Sequence, residues 1–547
     1  MTSVYSKSKT AVSDALFAQA QALYNAGNNK AALEKYHEAI EKNPECAPAY
    51  AGLSDVYVRM ENLMPAIECI GIAMHLDPKN SSFKQKFIDL IWQTQVEQEN
   101  MVLKEAILQC MEDGTLDLSL AGNVWFSVLI HDRHFKPIYR GALRDLIVSG
   151  TGSKALLDPY FLKGLESVSV FNVDFESFLT RLRRVFLENQ EERFLPIVRA
   201  LARYCEVTEF IFFVSDEEKN IFSRMRGLSE WSEIQRAILS CYERSSESEK
   251  SKPGISIGTL SEISDDVSKA VQQQYEEFPY PRWRYFDREI KDASVEGVLL
   301  NQDADILVAG CGTGKEAIEL AYVFPKAKVF AVDLSRASLN YAATKAQEFG
   351  IRNIEFHHGD ILKLGALDKK FDFIASSGVL HHMKDPVAGW SVLTGLLKDD
   401  GLMRIALYSK AARLKFTEAK KIIQARGYSP DDEGMRKFRA DAEKILPKDV
   451  YTYICKCRDY FYKSECRDLL FHVHEIEYDP MDILKMLEGQ GLEFIKFYIY
   501  PDVLEQYKKR FPKDINASSL ENWVEFEKDA PETFKEMYKF WCRKKPI

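Results

Sequence analysis

A regular alternation of short apolar runs and helix-like stretches between residues 303 and 408 constrains this fold more than any other sequence feature. Strands that alternate with helices predict a parallel sheet covered on both faces, because the chain must cross over a helix between parallel strands. We therefore expect a doubly wound α/β domain, which the later runs 492–498 and 539–543 complete to seven strands. The first five runs are Asp305–Ala309, Lys328–Val332, Asn353–His357, Phe371–Ser376 and Gly401–Leu407.

Three glycines follow the first of these strands, in the order Gly310, Gly312 and Gly314, and Lys315 opens the next helix. Glycine lets the backbone turn tightly and approach a ligand closely. A dinucleotide-binding loop would need a fourth glycine where this chain has Lys315. The spacing therefore predicts a nucleotide-like ligand without a pyrophosphate.

Two aspartates stand at the ends of the second and third strands. Asp333 comes roughly 20 residues after the glycine loop, where a carboxylate can accept both hydroxyls of a ribose. Asp360 follows the third strand and could accept from an adenine amino group, with Leu334 and Ile361 on the two ring faces. Taken singly, each acid is as well explained as a loop residue or a helix cap. Together they predict a site for an adenosyl group.

The glycine loop and the two aspartates resemble a class I S-adenosylmethionine-dependent methyltransferase domain over residues 303–408. The stretch from Ser377 to His382 resembles the segment that lies beside the transferable methyl group in that fold. The resemblance implies a Rossmann-like, seven-stranded sheet and S-adenosylmethionine as the cofactor. The cofactor-binding residues it implies are Gly310, Cys311, Gly312, Gly314, Asp333, Leu334, Asp360, Ile361, Ser377 and Trp283.

The beginning of the chain carries an internal repeat with a period of 34 residues. Its alanines allow two helices to approach closely, and its prolines end each unit because proline cannot donate the next backbone hydrogen bond. The pattern resembles tetratricopeptide repeats, with two clear copies between residues 13 and 80. The repeated positions are Ala32, Tyr36, Ala39 and Pro44, followed by Ala66, Ile70, Ala73 and Pro78.

The organisation along the chain follows from these patterns. The long stretch between the fifth and sixth strands exceeds an ordinary connection and predicts a helical cap over the carboxyl edge of the sheet. The predicted domains are repeats at 1–83, a helical middle domain at 84–243, a polar linker and aromatic lid at 244–302, the cofactor domain at 303–408, the cap insertion at 409–485, and strands that complete the sheet at 486–547.

Segments outside the cofactor domain extend the resemblance to most of the chain. Together with the repeats, they are similar to a bacterial family that joins tetratricopeptide repeats to a methyltransferase domain. Within that family the chain most resembles the rickettsial protein lysine methyltransferases that modify an outer-membrane surface protein. This implies methyl transfer to lysine side chains and a protein or peptide substrate as partner. The segments are Gln274–Trp283, Asp468–Glu475, Glu521–Trp523 and Pro531–Trp541.

A lysine amine must lose a proton before it can attack a methyl group, since its pKa is normally about 10.4. A tyrosine, a carboxylate or a histidine could assist. A structural role at the start of a helix explains His381 equally well. His472 could equally belong to a segment that only packs in the core. The lid segment could likewise be an ordinary packed turn. The catalytic candidates are Tyr275, Glu277, His381, His382 and His472.

Composition and sequence patterns argue against several other classes of function. The net charge of −9 argues against a general nucleic-acid binder, which usually carries a basic face. We find no apolar run long enough to cross a bilayer, so we expect a cytoplasmic protein without membrane insertion. Cys455 and Cys457 are too close together for a typical zinc pair, so we expect no metal site. Two alternatives stay open: a small-molecule methyltransferase whose repeats serve dimerisation, and a non-catalytic scaffold.

Overall fold

The computed structural model describes residues 2–92, 94–141, 143, 150, 152–243, 256–283, 286, 294–295, 298–535 and 537–545. The chain divides into two compact units, Met1–Arg244 and Ser245–Ile547. The predicted polar linker at 244–254 lies outside the described residues, and the finer division into six domains stays a prediction.

The first unit is built from helices. Its α-helices are Thr2–Asn25, Asn29–Lys42, Ala47–Arg59, Leu63–Leu76, Ser81–Ile91, Met101–Met111, Gly122–His131, Phe135–Arg140, Ser153–Leu156, Pro159–Ser167, Val173–Glu188, Leu195–Val207, Asp216–Arg226 and Glu233–Leu239, with a 3-10 helix at Glu192–Phe194. Among these described helices, none combines the length and the apolarity that a bilayer span requires, and the same holds for the described helices of the second unit.

The first helices pack through the small residues of the sequence repeat. Ala32, Ala39, Ala66 and Ala73 are all fully buried. A side chain at Gly52 would lie 2.4 Å from the ring of Tyr36, so the glycine is required for this close approach. These residues confirm the predicted helix-turn-helix repeats at the start of the chain.

Hydrogen bonds between residues 34 or 35 positions apart continue beyond the region where the sequence shows a 34-residue repeat. The indole nitrogen of Trp125 donates to the Tyr160 carbonyl, 35 residues away, at 3.1 Å. Val170 N donates to the Tyr204 hydroxyl, 34 residues away, at 3.1 Å. Helix pairs therefore stack on their neighbours through the middle region, where the sequence predicted only helices.

The second unit is organised by an eight-stranded sheet with the strand order β1-β6-β5-β4-β7-β8-β10-β9. β10 is antiparallel to both of its neighbours, and the other pairs are parallel. A separate two-stranded hairpin joins β2 and β3. The strands are β1 (Ile257–Thr259), β2 (Ser294–Val295), β3 (Val298–Leu299), β4 (Asp305–Ala309), β5 (Lys328–Asp333), β6 (Ile354–His358), β7 (Phe371–Ser377), β8 (Leu397–Tyr408), β9 (Leu492–Phe497) and β10 (Met537–Lys544).

The sheet is buried on both faces. Leu307 and Ala309 of β4 belong to one core cluster, and their neighbours Ile306 and Val308 belong to the cluster on the opposite face. Two buried faces make a parallel strand continuously apolar, which explains why these strands are visible in the sequence. The seven predicted strands form one sheet as expected. The eighth, β1, adds only three residues at the outer edge of β6 and gives no periodic signal.

Helices cover both faces and build the insertion between β8 and β9. The α-helices are Asp266–Glu277, Lys315–Val323, Arg336–Glu348, Pro386–Leu396, Leu414–Ala425, Asp432–Ile445, Lys448–Ile454, Lys463–Phe471, Pro480–Gly489, Pro501–Arg510 and Leu520–Asp529. Short 3-10 helices lie at Ile361–Ala366, Leu380–His382 and Arg458–Phe461. Five of these elements, from Leu414 to Phe471, form the helical insertion.

Candidate active site

A cavity of about 470 Å³ lies at the carboxyl ends of the parallel strands, where α/β folds bind their ligands. Residues from the lid helix Asp266–Glu277, from the strand ends and from the insertion line it. The lining includes Val271, Tyr275, Tyr280, Gly310, Cys311, Gly312, Asp333, Leu334, Asp360, Ile361, Ser377, Val379, His382, Met383, Arg404, Tyr408, Asp468, Met537 and Lys539.

The glycine loop forms the part of the cavity next to β4. Gly310 and Gly312 have positive φ angles of 77° and 52°, a conformation that side chains disfavour. A Cβ atom at Gly312 would lie 2.9 Å from the Tyr280 carbonyl oxygen, and one at Gly310 would lie 2.4 Å from Val379. The loop is fixed by Gly310 N and Cys311 N, which donate to Val332 O at 2.8 and 2.9 Å. Because glycines carry no side chain, the backbone of this loop can contact a ligand in the cavity directly.

Asp333 joins the loop to the end of β5. Its Oδ2 accepts from Gly312 N at 2.7 Å, and its Oδ1 accepts from Ser335 N at 2.8 Å. Each carboxylate oxygen keeps a second lone pair, which is what two ribose hydroxyls need. Burial raises the pKa of the Asp333 carboxyl to about 6.

Asp360 provides a buried acceptor at the end of β6. Its Oδ1 accepts from Leu362 N at 3.0 Å, while its Oδ2 is buried and has no hydrogen-bond partner in the structure. A buried oxygen without a partner is costly, so a ligand amino group would satisfy it. Leu334 and Ile361 line the cavity beside it. These residues fit an adenosyl group, and with Asp333 and the glycine loop they fit S-adenosylmethionine.

Two residues predicted to bind the cofactor lie elsewhere. Trp283 is buried behind the loop, where its indole donates to Thr313 O at 3.1 Å and its ring stacks on Phe349. This corrects the expectation that Trp283 contacts the ligand. Gly314 begins the helix Lys315–Val323 with a left-handed backbone, and a Cβ atom there would lie 2.5 Å from Ala342. Neither residue is among the cavity-lining ones.

The catalytic candidates divide in a similar way. Tyr275 and His382 line the cavity, whereas His381 is fully buried behind His382. His472 lies next to Tyr275, with 3.2 Å between Nε2 and the phenol oxygen. Glu277, at the end of the lid helix, is exposed and is not among the cavity-lining residues. The structure therefore brings three of the five candidates together, places His381 one layer deeper, and leaves Glu277 outside.

Asp468, which was not predicted as a site residue, stands at the centre of this group. It is 3% exposed and lines the cavity. The Tyr275 hydroxyl donates to its Oδ1 at 2.7 Å, and the Tyr408 hydroxyl donates to its Oδ2 at 3.4 Å. A carboxylate and two phenols therefore face the cavity together, from the insertion, the lid helix and β8.

Backbone groups of His474 fix the protonation of the histidines that touch this cluster. Its N–H lies 3.1 Å from His472 Nδ1, so that nitrogen is an acceptor and the proton sits on Nε2. Its carbonyl lies 2.9 Å from His382 Nδ1, which must therefore carry a proton. His382 Nε2 then accepts from His381 Nε2 at 3.1 Å. Burial lowers the pKa of each of these three imidazoles, so they are neutral near pH 7.

The side chains of His382, Asp468 and His472 offer atoms within 4.8 Å of one another, a spacing that could hold a metal ion. A histidine ligand must present a bare ring nitrogen to the metal. The hydrogen-bond directions instead put a proton on His472 Nε2 and fill the lone pair of His382 Nε2. The arrangement fits a hydrogen-bonded cluster better than a metal site.

Buried charges hold Tyr408 in place. The Arg413 guanidinium lies 3.6 Å from the centre of the Tyr408 ring, and the His381 ring lies 3.7 Å from it. Two groups this close must occupy opposite faces, so the ring is sandwiched. Arg413 Nη2 also lies 3.3 Å from Glu475, which pairs with Lys420 as well. The sequence gives no hint of this support, because its members are spread over 95 positions of mixed composition.

The lid helix is tied to the cofactor domain next to Asp333. Glu276 accepts from the backbone N–H groups of Arg336 and Ala337 at 2.6 and 3.0 Å, so it caps the helix Arg336–Glu348. The Ser335 hydroxyl donates to the Tyr275 carbonyl at 3.0 Å. These bonds position the Tyr275 side chain relative to the loop that follows β5.

A charged pair closes the other end of the cavity. Arg404 of β8 forms an ion pair with Glu316, and the Ser377 hydroxyl donates to Glu316 at 3.1 Å. Ser377 was predicted from the sequence, and it does line the cavity. Glu316 and Arg404 were missed, although the position of Glu316 directly after the glycine loop is a signal that could have identified it.

Comparisons with known proteins agree with this geometry. Residues 300–456 match the family model of a methyltransferase domain, and residues 13–46 match that of the tetratricopeptide repeat. An uncharacterized protein of Synechococcus is 25% identical over 260 residues, which cover 43% of this chain and 60% of that protein. A malonyl-[acyl-carrier protein] O-methyltransferase of Bacillus cereus is 26% identical over 151 residues, 28% of this chain and 52% of that protein. The chain thus spans about half to three-fifths of these two relatives.

A third relative and two solved structures are more distant or shorter matches. An uncharacterized protein of Rickettsia prowazekii is 31% identical over 117 residues, 20% of this chain and 21% of that protein. PKMT2 from Rickettsia typhi is similar at 13% identity with a TM-score of 0.37, over 53% of this chain and 55% of that one. Magnesium protoporphyrin IX methyltransferase from Synechocystis has a TM-score of 0.26 at 18% identity, over 44% of this chain and 75% of that one.

The fold and the site define a class I methyltransferase domain that uses S-adenosylmethionine. The chain joins this domain to tetratricopeptide repeats at its beginning, as the sequence predicted.

Proposed function

We propose that the protein transfers a methyl group from S-adenosylmethionine to lysine side chains of a protein substrate. The observation that carries the proposal is the carboxylate of Asp468 among aromatic rings at the insertion side of the cavity. Tyr275, Tyr280 and Tyr408 line the cavity with it. A carboxylate attracts an ammonium group, and aromatic faces add cation–π attraction.

The same carboxylate disfavours an acidic acceptor. The O-methyltransferase relatives are named for malonyl-[acyl-carrier protein]. A carboxylate in this cavity would lie close to Asp468, and two like charges in a buried site repel one another strongly. The site therefore supports an amine acceptor better than an acid.

The helical first unit supports a protein substrate. The tetratricopeptide repeat at 13–46 and the helix pairs that follow it offer an extended surface of the kind that such repeats use for binding. The alternative is a small-molecule amine methyltransferase whose repeats serve dimerisation. It is favoured by the insertion, because Asp468 closes the cavity from that side and an enclosed cavity suits a small ligand.

The roles of the residues follow from their positions. The cofactor supplies a methyl group on a positively charged sulfur. The glycine loop, Asp333 and Asp360 hold its adenosyl part, while Asp468 and the tyrosines orient the acceptor amine. Since such a transfer is an in-line displacement, most of the rate gain comes from holding the two reactants aligned.

The test is to incubate the full-length protein with donor labelled in the methyl group and a bacterial lysate, then to locate the label by mass spectrometry. The proposal predicts label on lysine side chains of one or a few proteins. Label confined to low-molecular-weight amines would establish the alternative. Asp333→Ala is the control, because at limiting donor concentration it should reduce labelling by weakening donor binding without touching the acceptor side.

A further inference from the structure

We infer that Asp468 is the group that accepts the proton from the acceptor ammonium, and that the neighbouring histidines position it without acting as the base. The inference rests on the proposed function, since it requires an amine acceptor. It assigns a catalytic residue that the sequence did not single out, and it excludes as the base four residues that the sequence did: His381, His382, His472 and Tyr275.

The reaction needs such a group. With a normal pKa of about 10.4, only about 0.04% of a lysine side chain is neutral at pH 7. An ammonium nitrogen has no lone pair, so it cannot attack the methyl group. A residue that accepts the proton inside the cavity gives the ammonium form, which is the form present at pH 7, a route to reaction.

The histidines offer no free lone pair toward the cavity. Nδ1 of His472 is occupied by the N–H of His474, and its Nε2 carries a proton that points to the Tyr275 oxygen. Nε2 of His382 is occupied by the N–H of His381, and its Nδ1 donates to the His474 carbonyl. His381 has a bare Nδ1 without a hydrogen-bond partner, but it is fully buried and is not among the cavity-lining residues.

The tyrosines are donors as well. The hydroxyls of Tyr275 and Tyr408 both point to Asp468. Burial raises the pKa of the Tyr275 phenol well above its usual range, so it keeps its proton. A neutral phenol is too weak a base to accept a proton from an ammonium group. Among the described residues that line this end of the cavity, Asp468 is then the group with basic lone pairs.

A proton moves from the ammonium nitrogen to a carboxylate oxygen of Asp468, which leaves a neutral amine and a carboxylic acid. The amine lone pair forms the nitrogen–carbon bond while the methyl–sulfur bond breaks, and that electron pair stays on sulfur. The product is a methylated ammonium, and Asp468 returns its proton to water before the next acceptor binds.

Several ionisable groups face or lie near Asp468, and each of them can influence the pH dependence of the methylation rate. Those of neighbouring elements are Tyr275 and Tyr280 from the lid segment, Tyr408 from β8, His382 from the 3-10 helix and Lys420 from the helix Leu414–Ala425; those of its own helix are Glu465, Arg467 and His472. None of the neutral histidines changes charge above pH 7, since burial lowers the pKa of each.

The decisive variant is Asp468→Asn, which keeps the shape and removes the charge. Methylation of the protein that takes the label in the experiment above is measured from about pH 7 to 10. We expect kcat/KM at pH 7 to fall about 1000-fold and to rise about tenfold per pH unit toward the wild-type value as the free amine appears, while the wild-type profile stays nearly level. Donor affinity, measured by calorimetry, should not change.

The matched control is Asp441→Asn. Asp441 also lies in the insertion and also accepts a tyrosine hydroxyl, from Tyr428 at 2.8 Å, but it is not among the cavity-lining residues. This variant should keep the wild-type rate and pH profile. His382→Gln provides a second comparison, in which a lower rate with a level pH profile agrees with a positioning role.

Three results would overturn the inference, and the first two can be told apart from the third. If Asp468→Asn folds and methylates lysine with the wild-type rate and pH profile, Asp468 is not the base although the proposed function stands. The same holds if His382→Gln, rather than Asp468→Asn, acquires the tenfold slope. If wild-type protein that binds the donor labels no lysine or other amine, the proposed function and the inference fall together.

Discussion

The hydroxyl of Tyr275 donates a 2.7 Å hydrogen bond to Asp468, a residue 193 positions further along the chain. Tyr275 belongs to the lid helix between β1 and β2, and Asp468 belongs to the insertion that follows β8. The bond therefore joins the lid helix to the insertion, and both segments lie outside the cofactor domain. It also places the acceptor end of the cavity between them.

We expect Tyr275→Phe to lower activity without changing its pH profile. The variant removes one donor to Asp468 and leaves the Nε2 proton of His472 without an acceptor, which costs about 1–3 kcal/mol in a buried site. Steady-state kinetics should show kcat about three- to tenfold lower, and thermal melting should show a lower Tm. A steep new dependence on pH would instead mean that the phenol takes part in proton transfer.

Donor binding should weaken in acid. The pKa of the Asp333 carboxyl is raised to about 6 by burial, and ribose hydroxyls need its charged form as acceptor. Affinity should therefore be full above pH 6 and fall by up to about tenfold per unit below it. Folding has the opposite sign, because a raised pKa in the folded protein favours stability below the unfolded value and loses it as pH rises through 6. Calorimetry across this range checks the binding, and Asp333→Asn should remove the pH dependence.

Gly312→Val should abolish donor binding. The residue has a φ of 52°, and its Cβ would lie 2.9 Å from the Tyr280 carbonyl oxygen, so a branched side chain must displace the loop or the Tyr280 backbone, both of which line the cavity. Gly395→Ala is the matched control, since a Cβ atom there meets nothing within 4 Å. Equilibrium binding of the labelled donor measures both. Normal affinity in the valine variant would contradict the position assigned to the cofactor.

The stability of the first unit should depend strongly on the buried ion pair between Arg183 and Glu218. Arg183 and Glu218 lie 3.0 Å apart, with side chains 1% and 3% exposed. Glu218→Ala leaves an uncompensated buried guanidinium and should destabilise the unit by about 3–5 kcal/mol. The neighbouring Glu217, whose side chain is 71% exposed, pairs with Arg184, and Glu217→Ala should cost at most about 1 kcal/mol. Denaturant unfolding of the two variants compares these values directly.

The parts of this protein that sequence patterns predict are those whose cause is local. The strands of the sheet are apolar because both of its faces are buried, and the loop glycines are fixed by their own backbone angles. The positions of Asp333 and Asp360 follow from the strand ends that precede them. Each of these features can be inferred from a short stretch of chain.

The acceptor side of the cavity depends on contacts between segments that are distant in sequence. The sequence therefore could not predict which of its residues come together or what each of them does. Asp468 becomes a site residue only because the lid helix and β8 direct two hydroxyls at it. The histidines were predicted by residue type, but their role depends on which ring nitrogen faces the backbone of His474. Trp283 was assigned to the ligand because it is aromatic, and packing against Phe349 explains it instead.

The most direct test of this account is calorimetric titration of the purified, folded protein with S-adenosylhomocysteine, the demethylated product of the donor. The account predicts one binding site in the wild type, unchanged affinity in Asp468→Asn, and affinity reduced by about 1–3 kcal/mol in Asp333→Ala, where the ribose hydrogen bonds are lost. Absence of binding by the folded wild-type protein would contradict the cofactor site, and with it the methyl transfer.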